Sequence, residues 1–283
     1  MRSFPRPRQA VARFITRVID RLALTAQARG EYGRAERLFQ RALAIAEGAL
    51  SASDREFAAV LNDLGVLYKE LARFDEAESV YRRTLALVHA THGEDYVGLA
   101  ALYHNLSGLE HARGRYALGE PHARRALELR ERALGPNHPD VAADAAALAA
   151  ILDGLGRRDE AEALISRALE VFERAYGSEH YEVAVNLNNL AALRQASGDA
   201  RDAKQLYQRA LTLKEKLLGT NHPDVAVTAN NLAVLHKTQG QFAEAERLYR
   251  RALAIFERSF GASHPKVIAC RENYEALRTA TRD

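Results

Sequence analysis

The chain has 283 residues, 47% hydrophobic and 27% charged, a composition typical of a protein that folds rather than of a disordered chain. It contains no apolar run of the roughly eighteen residues that a membrane-spanning helix needs, and its single cysteine, Cys270, excludes an internal disulfide. Of the net charge of +3, residues 1–21 contribute +5 through six Arg and one Asp, so the remainder is close to neutral and lacks the dense positive charge of nonspecific nucleic-acid binders.

The first predicted segment is a basic N-terminal arm, residues 1–11. Charges interrupt its apolar residues, which argues against a secretory signal, although an Arg-rich and acid-poor start is also found in transit peptides. We expect a solvated arm. A lone cysteine and the absence of a membrane span predict a cytoplasmic location.

After the arm, one unit of 42 residues is repeated six times between residues 12 and 263. His138, His180, His222 and His264 each open a similar stretch, such as HPDVAVTANNLAVLHKTQG, and leucines and glycines in register extend the pattern backward. The predicted repeats are 12–53, 54–95, 96–137, 138–179, 180–221 and 222–263. Residues 264–283 begin a seventh unit, which we expect to form a capping half-repeat and a tail.

Each repeat predicts two helices separated by a mid-repeat glycine, because apolar residues recur every three or four positions in both halves. The sequence shows no alternating strand pattern. A single helix hairpin cannot bury its own apolar face, so the hairpins are expected to stack. The predicted fold is therefore an all-α solenoid of about six hairpins closed by a C-terminal capping helix.

The His-Pro-Asp triplet of a repeat, such as His222–Asp224, predicts a helix start. Gly219 suits the left-handed residue that ends the preceding helix, Pro223 suits a first helical turn, and Asp224 lies near the positive end of the helix dipole. Equivalent histidines in stacked repeats are separated by at least about 8–10 Å, whereas zinc ligands lie within about 2.3 Å of the ion. With no HExxH, phosphate-binding glycine loop or nucleophile elbow, we expect no enzyme activity, metal or cofactor.

Pairs of arginines at 82–83, 124–125 and 250–251 raise the alternative of a nucleic-acid-binding stripe. A glutamate precedes the first arginine of each pair by four residues, which is the spacing of a favourable helical ion pair. The expected salt-paired glutamates are Glu78, Glu120 and Glu246. A solvated outer face is the favoured interpretation, and no nucleic-acid partner is expected.

A row of amides marks the other side of the first helices. In the sixth repeat a helical wheel places Ala229 and Leu232 toward the core, and Asn230, Asn231 and Lys237 opposite them. An asparagine amide can donate to and accept from an extended peptide, but it can equally bond a neighbouring helix of the stack. The candidate binding residues on this face are Asn62, Lys69, His104, Asn105, Asn188, Asn189, Gln195, Asn230, Asn231, Lys237 and Asn273. The alanines of residues 145–150 interrupt the row and predict a groove in two parts.

The motifs HPDVA, NNLA, the mid-repeat glycine, EAE.LY.RAL and the closing LG resemble the tetratricopeptide repeat in the 42-residue form of kinesin light chains. This resemblance covers nearly the whole chain. It implies a right-handed superhelix whose first helices line a concave groove for peptide segments of partner proteins. The groove asparagines of the family correspond here to Asn188, Asn189, Asn230 and Asn231, and, where fewer motif residues match, to Asn62, Asn105 and Asn273.

The resemblance implies a non-catalytic scaffold that binds a peptide segment of a partner protein. Two alternatives stay open: a peptide-sensing regulatory module, and a nonenzymatic adaptor subunit of a separate protease or nuclease. No membrane partner is expected. The sequence leaves open the identity of the partner, the charge of its peptide and the oligomeric state. The heptad coiled coil that binds a motor chain is missing from this sequence, so cargo transport is not implied.

Overall fold

The computed structural model describes residues 7–51 and 54–280. Within these ranges the chain forms thirteen α-helices and no strand, which confirms the predicted all-α class. The helices are α1 (Pro7–Ala28), α2 (Tyr32–Ala49), α3 (Arg55–Glu70), α4 (Phe74–His92), α5 (Leu99–Ala112), α6 (Tyr116–Leu134), α7 (Pro139–Gly154), α8 (Arg158–Tyr176), α9 (Tyr181–Ala196), α10 (Ala200–Leu218), α11 (Pro223–Thr238), α12 (Phe242–Phe260) and α13 (Pro265–Ala280).

The described residues form two compact units, which we call unit 1 (up to Leu129) and unit 2 (from Arg130), and α6 contributes to both. In each unit the odd-numbered first helices pair with the even-numbered second helices that follow them, as in α1 with α2 and α11 with α12. A second helix also contacts the next first helix, and consecutive first helices touch, as α9 and α11 do. Each unit is therefore a stack of helix hairpins.

The helix starts confirm the capping role of the repeated histidines. The Nδ1 atoms of His138, His180 and His222 accept hydrogen bonds from the backbone N–H two residues later, at 3.1, 3.3 and 3.1 Å. His264 makes the same 3.1 Å bond at the start of α13. These bonds satisfy an N–H group that a helix leaves unpaired in its first turn. The His-Pro-Asp triplet thus marks a helix start.

The turns explain the regular glycines. Gly219 closes a repeat with φ of 83°, and Gly240 turns the last hairpin with φ of 71°, both in the left-handed region that glycine tolerates best. Ala72 occupies the corresponding hairpin turn of α3 and α4 with φ of 58°, and it is the only non-glycine residue with positive φ in the described ranges.

Small residues at the helix contacts let the hairpins pack closely. In unit 2, Ala203, Ala245 and Ala252 are fully buried beside the large side chains of Tyr207 and Tyr249. The last helix, α13, packs on α12 through Val267, Cys270 and Leu277, while Glu275 and Arg278 on its other side are exposed. The capping half-repeat therefore covers the apolar face of the last hairpin.

The predicted outer-face ion pairs are present. Arg82 contacts Glu78 at 2.7 Å, Arg124 contacts Glu120 at 2.7 Å, and Arg250 contacts Glu246 at 2.8 Å. All three arginines are exposed, so solvent screening leaves each pair only a small contribution to stability. In the part of the chain that the structure describes, no helix is long and apolar enough to cross a membrane.

Candidate functional site

The amide row lies where the helical wheel predicts it on α11. The core-facing Ala229 and Leu232 are buried, whereas Asn230, Asn231 and Lys237 are half-buried on the other side of the helix. The remaining predicted residues are also half-buried, except for Asn188, which is only 7% exposed. They are Asn62, Lys69, His104, Asn105, Asn189, Gln195 and Asn273.

Two amide pairs join consecutive first helices. In unit 1, Asn105 on α5 donates through Nδ2 to Oδ1 of Asn62 on α3, at 2.7 Å. In unit 2, Asn231 on α11 donates through Nδ2 to Oδ1 of Asn188 on α9, at 3.4 Å. Both pairs are 43 residues apart, one more than the repeat length. We call this arrangement the 43-residue ladder.

Other polar groups follow the same register. Gln27 donates to Glu70 at 3.0 Å between α1 and α3, and the Tyr181 hydroxyl donates to Asp224 at 2.6 Å between α9 and α11. The extra residue reflects a stagger of one position between neighbouring first helices. The helix-to-helix explanation of the amides therefore holds for Asn62, Asn105, Asn188 and Asn231.

The ladder leaves hydrogen-bonding capacity on the same face. An asparagine amide offers two donors and two acceptor lone pairs, and the Asn231 bond engages one donor. Asn188 donates to Oδ1 of Asn189 at 3.3 Å, within one helix. In contrast, Oδ1 of Asn230 is buried and has no protein hydrogen-bond partner. The register would pair Asn230 with Asn273, but the structure shows no such bond.

Lys69, His104 and Gly108 border the amides of unit 1. The Lys69 ammonium lies beside Gly108, where a Cβ atom would come within 3.1 Å of Nζ. The carbonyl of His104 accepts a 2.7 Å bond from the Ser107 hydroxyl, which itself is buried. This part of the face thus combines one positive charge with small and amide side chains.

Two carboxylates, which sequence reasoning missed, extend the ladder to α1. Asp20 and Asp63 occupy the ladder positions of Asn62 and Asn105 one repeat earlier, and they too are 43 residues apart. Burial, with a smaller contribution from the charge of Asp63, raises the pKa of Asp20 to about 6. Burial also raises the pKa of Asp63, against the hydrogen bond that its Oδ1 accepts from Asn62 at 3.1 Å. An alignment of the repeats would have revealed them, because it places Asp20 in line with Asn62 and Asp63 in line with Asn105.

An open cleft of about 250 Å³ lies between α1 and α3 beside these carboxylates. Its lining includes Thr16, Asp20 and Glu56. The Thr16 hydroxyl is fully buried and has no protein partner, and Oδ1 of Asp20 is likewise buried without one. Arg17 and Arg55 line the same cleft, so the cleft carries charges of both signs and two unsatisfied buried oxygens.

Sequence reasoning also missed a buried lysine in unit 2. Lys214 on α10 is 4% exposed, and its ammonium donates to the Thr228 hydroxyl on α11 at 3.1 Å. Burial lowers the pKa of Lys214, opposed by the nearby charge of Asp224. Because the group lies between a second helix and the next first helix, it belongs to the packing of the stack. Among the described residues, no group of three or more His, Cys, Asp or Glu side chains is placed to hold a metal ion.

Comparison with known proteins identifies the repeat. A family model described as "Tetratricopeptide repeat" matches residues 15–90, 98–174, 145–216, 182–258 and 224–281. The sequence has no match among curated proteins.

Three solved structures show the same repeat architecture. BtubC (BKLC) from P. vanneervenii is 26% identical, with a TM-score of 0.54 over 91% of this chain and 92% of that chain. A putative kinesin light chain of Podosopora anserina is 22% identical, with a TM-score of 0.51 over 70% and 94% of the two chains. NprR in complex with its cognate peptide NprX is 14% identical, with a TM-score of 0.73 over 99% and 79%. The likeness to the last two shows the fold alone.

Proposed function

Because the chain belongs to the tetratricopeptide repeat family, we propose that it is a non-catalytic scaffold that binds an extended peptide segment of a partner protein on its first-helix face. The proposal places the protein in the cytoplasm, where its single, buried Cys270 stays reduced. It assigns the contact to the amide row rather than to the repeated histidines, whose Nδ1 atoms are engaged in capping.

The observation that carries the proposal is the unpartnered Oδ1 of Asn230. A buried acceptor without a hydrogen bond costs about 1–3 kcal/mol, and a ligand donor would recover that cost once the Asn230 side chain turns its oxygen outward. Val227 and Val234 flank Asn230 along α11 and are themselves half-buried. A peptide backbone beside them would offer N–H groups, which are donors in any sequence.

The amide row then has two roles. The bond between Asn231 and Asn188 fixes the spacing of α9 and α11, while the remaining amide groups of Asn189, Asn230 and Asn231 are directed to the ligand. The peptide complex of NprR supports a peptide-binding role in general, since it is a peptide-bound protein of the same fold. Gln195 and Lys237 add a polar contact and a positive charge one to two turns further along their helices.

A sensing role is the second candidate function, and the ladder favours it. Asn231 both donates to Asn188 and lies on the proposed binding face, and its bond is long at 3.4 Å. A peptide that captures Asn231 would release Asn188 and change the spacing of α9 and α11. Such a change would appear in small-angle X-ray scattering as a ligand-dependent shift of the scattering profile.

The test uses a phage-displayed library of random peptides selected on the full chain. Asn230→Ala removes the unpartnered acceptor, and Arg247→Ala is the matched control, because Arg247 is exposed and pairs with Glu244 of its own helix. The loss of one hydrogen bond, about 0.5–1.5 kcal/mol, should weaken the selected peptides about 2- to 12-fold in Asn230→Ala. The melting temperature should hold, because alanine is the better helix former.

Asn231→Ala separates the two roles of the amides. It breaks the bond to Asn188, so it should lower the melting temperature as well as weaken binding. Selected peptides that bind Asn230→Ala as tightly as wild type, or that lose affinity in Arg247→Ala, would contradict binding on the first-helix face.

A further inference from the structure

Helix α1 exposes a continuous apolar side, which we call the α1 stripe. Val11 is 57% exposed, Phe14 63%, Val18 42% and Leu22 50%, and Ile15 lies between them at 38%. Their spacing of three, four and seven residues puts all five within about 100° of the helix circumference. The stripe extends over three turns, roughly 16 Å.

Three of the five stripe positions, those of Ile15, Val18 and Leu22, are buried in the repeats that follow, whereas the positions of Val11 and Phe14 are not. Residues aligned with Ile15 are at most 6% exposed: Phe57, Leu99, Val141, Val183, Val225 and Val267. Residues aligned with Val18 are at most 3% exposed: Val60, Leu102, Asp144, Asn186, Thr228 and Cys270. Residues aligned with Leu22 are at most 8% exposed in the five repeats that follow: Leu64, Leu106, Leu148, Leu190 and Leu232.

The element that buries these positions is the second helix of the preceding repeat. Lys214 on α10 contacts Thr228 on α11, and Tyr249 on α12 lies against Cys270 and Tyr274 on α13. Among the described helices, α1 contacts α2 and α3, and none precedes it. The α1 stripe is therefore a surface shaped for a helix in the position of a second helix.

The last described helix, α13, is polar on the corresponding side. On α13, the positions where a following second helix would pack hold Arg271, Glu275 and Arg278. Their counterparts in the sixth repeat are the buried Ala229, Ala233 and His236. A repeat surface that faces solvent is normally polar, and α13 has such a surface where α1 does not.

The positive charges that border the α1 stripe favour a partner with acidic residues. A helical wheel puts Arg21 along one border and Arg8 along the other, while Arg17 lies further round the helix and pairs with Glu56 of α3 at 3.6 Å. The only acidic residue of α1, Asp20, lies on the side that packs against α3. A second copy of α1 would bring the same arginines to the stripe and repel it.

We propose that the α1 stripe is a docking site for an amphipathic helix of a partner protein, with its apolar side bordered by acidic residues. The partner helix packs on α1 as a second helix packs on the next first helix in this chain. Ile15, Val18 and Leu22 form the centre of the contact, and Arg8 and Arg21 pair with the acidic border. Except for Arg21, which aligns with Asn189 and Asn231 of the amide row, the residues of this interface lie outside that row, so peptide binding to the amides does not test it.

The probe is a peptide derived from α12, a second helix of this chain. A stapled, fluorescein-labelled peptide carries the α12 sequence, Phe242–Phe260, with its four arginines replaced by glutamate. The control peptide keeps the arginines. Both retain the apolar side that packs on Val267 and Cys270 of α13. Fluorescence anisotropy then measures binding to the full chain at low salt.

We expect the acidic peptide to bind with micromolar affinity and the arginine peptide at least about tenfold more weakly. Phe14→Ser and Val18→Ser should each weaken the acidic peptide about tenfold or more, because both side chains lie in the stripe. Leu24→Ser is the matched control, since Leu24 is a 41% exposed leucine of α1 outside the stripe. All three positions are exposed, so folding is retained.

Several results would overturn the proposal. One is an acidic peptide that fails to bind, or that binds Val18→Ser as well as wild type. Dimerisation in sedimentation equilibrium that Phe14→Ser abolishes would assign the stripe to a second copy. Binding of the full chain to vesicles of phosphatidylserine and phosphatidylcholine, lost in Phe14→Ser, would assign it to a membrane surface instead.

Discussion

Replacing Asp20 by asparagine should stabilise the first repeat at neutral pH. Asp20 faces Asp63 in the 43-residue ladder, and burial with that neighbouring charge raises its pKa from 3.8 to about 6. A carboxyl whose pKa rises on folding favours the folded state while it is protonated. Its contribution is complete below about pH 4 and is lost as the pH rises through about 6.

The size of the stability change follows from the shift in the pKa of Asp20. Each pKa unit corresponds to about 1.4 kcal/mol, so a rise from 3.8 to about 6 sets an upper bound of about 3 kcal/mol. Asp20 is only half-buried, and solvent screening reduces this to about 1–2 kcal/mol. The side chain introduced by Asp20→Asn would also supply an amide donor toward Asp63, so the register would then match that of Asn62 and Asn105.

Hydrogen exchange measured by mass spectrometry on α1 and α3 fits this test, because repeat proteins open locally. Asp20→Asn should raise the opening free energy by about 1–2 kcal/mol at about pH 7.5 and change it little at about pH 4. Glu275→Gln, at an exposed position of α13, is the control and should leave α1 and α3 unchanged. A difference between wild type and Asp20→Asn that is independent of pH would refute the electrostatic reasoning.

Three further substitutions test the packing by thermal denaturation. Ala72→Gly should raise stability by about 1 kcal/mol, because Ala72 holds a φ of 58°; a lower melting temperature would show that this turn is not strained. Gly65→Ala should lower stability by about 1–3 kcal/mol, since its Cβ would come within 2.5 Å of the buried Tyr81 ring, and an unchanged melt would mean that Tyr81 moves freely. Lys214→Met should raise stability by about 1–4 kcal/mol, because it replaces a buried charge with an apolar side chain, and the aligned position of the next repeat holds the buried Phe256. Destabilisation would show that the hydrogen bond to Thr228 is worth more than the cost of burying the charge.

The helices and their caps could be predicted from the sequence because their signals are local. Pro223 and Asp224 define a helix start through their own backbone and charge, and the structure adds the Nδ1 bond of His222. The repeat period likewise predicted the stacked hairpins. The division into six repeats with an N-terminal arm stays a prediction, while α1 begins at Pro7, within that arm, and residues 1–6 lie outside the described ranges.

The ladder could not be predicted, because it depends on the stagger between helices. A helical wheel describes one helix, so it placed Asn188 on the groove side without showing that α11 covers it. The repeat length aligns residues 42 apart, whereas the touching side chains are 43 apart. The same limit hid the pairing of Asp20 with Asp63. Whether the amide row contacts a peptide stays a prediction.

The most direct test of peptide binding on the first-helix face pairs Asn230 with a backbone N–H of the ligand. A library-selected peptide is made with each backbone N–H in turn replaced by an ester oxygen, and each version is titrated calorimetrically into wild type and Asn230→Ala. We predict one ester position that weakens binding to wild type about 2- to 12-fold and has no effect on Asn230→Ala. Ester effects that are equal in the two proteins at every position would contradict the hydrogen bond to Oδ1 of Asn230 and, with it, the proposed binding face.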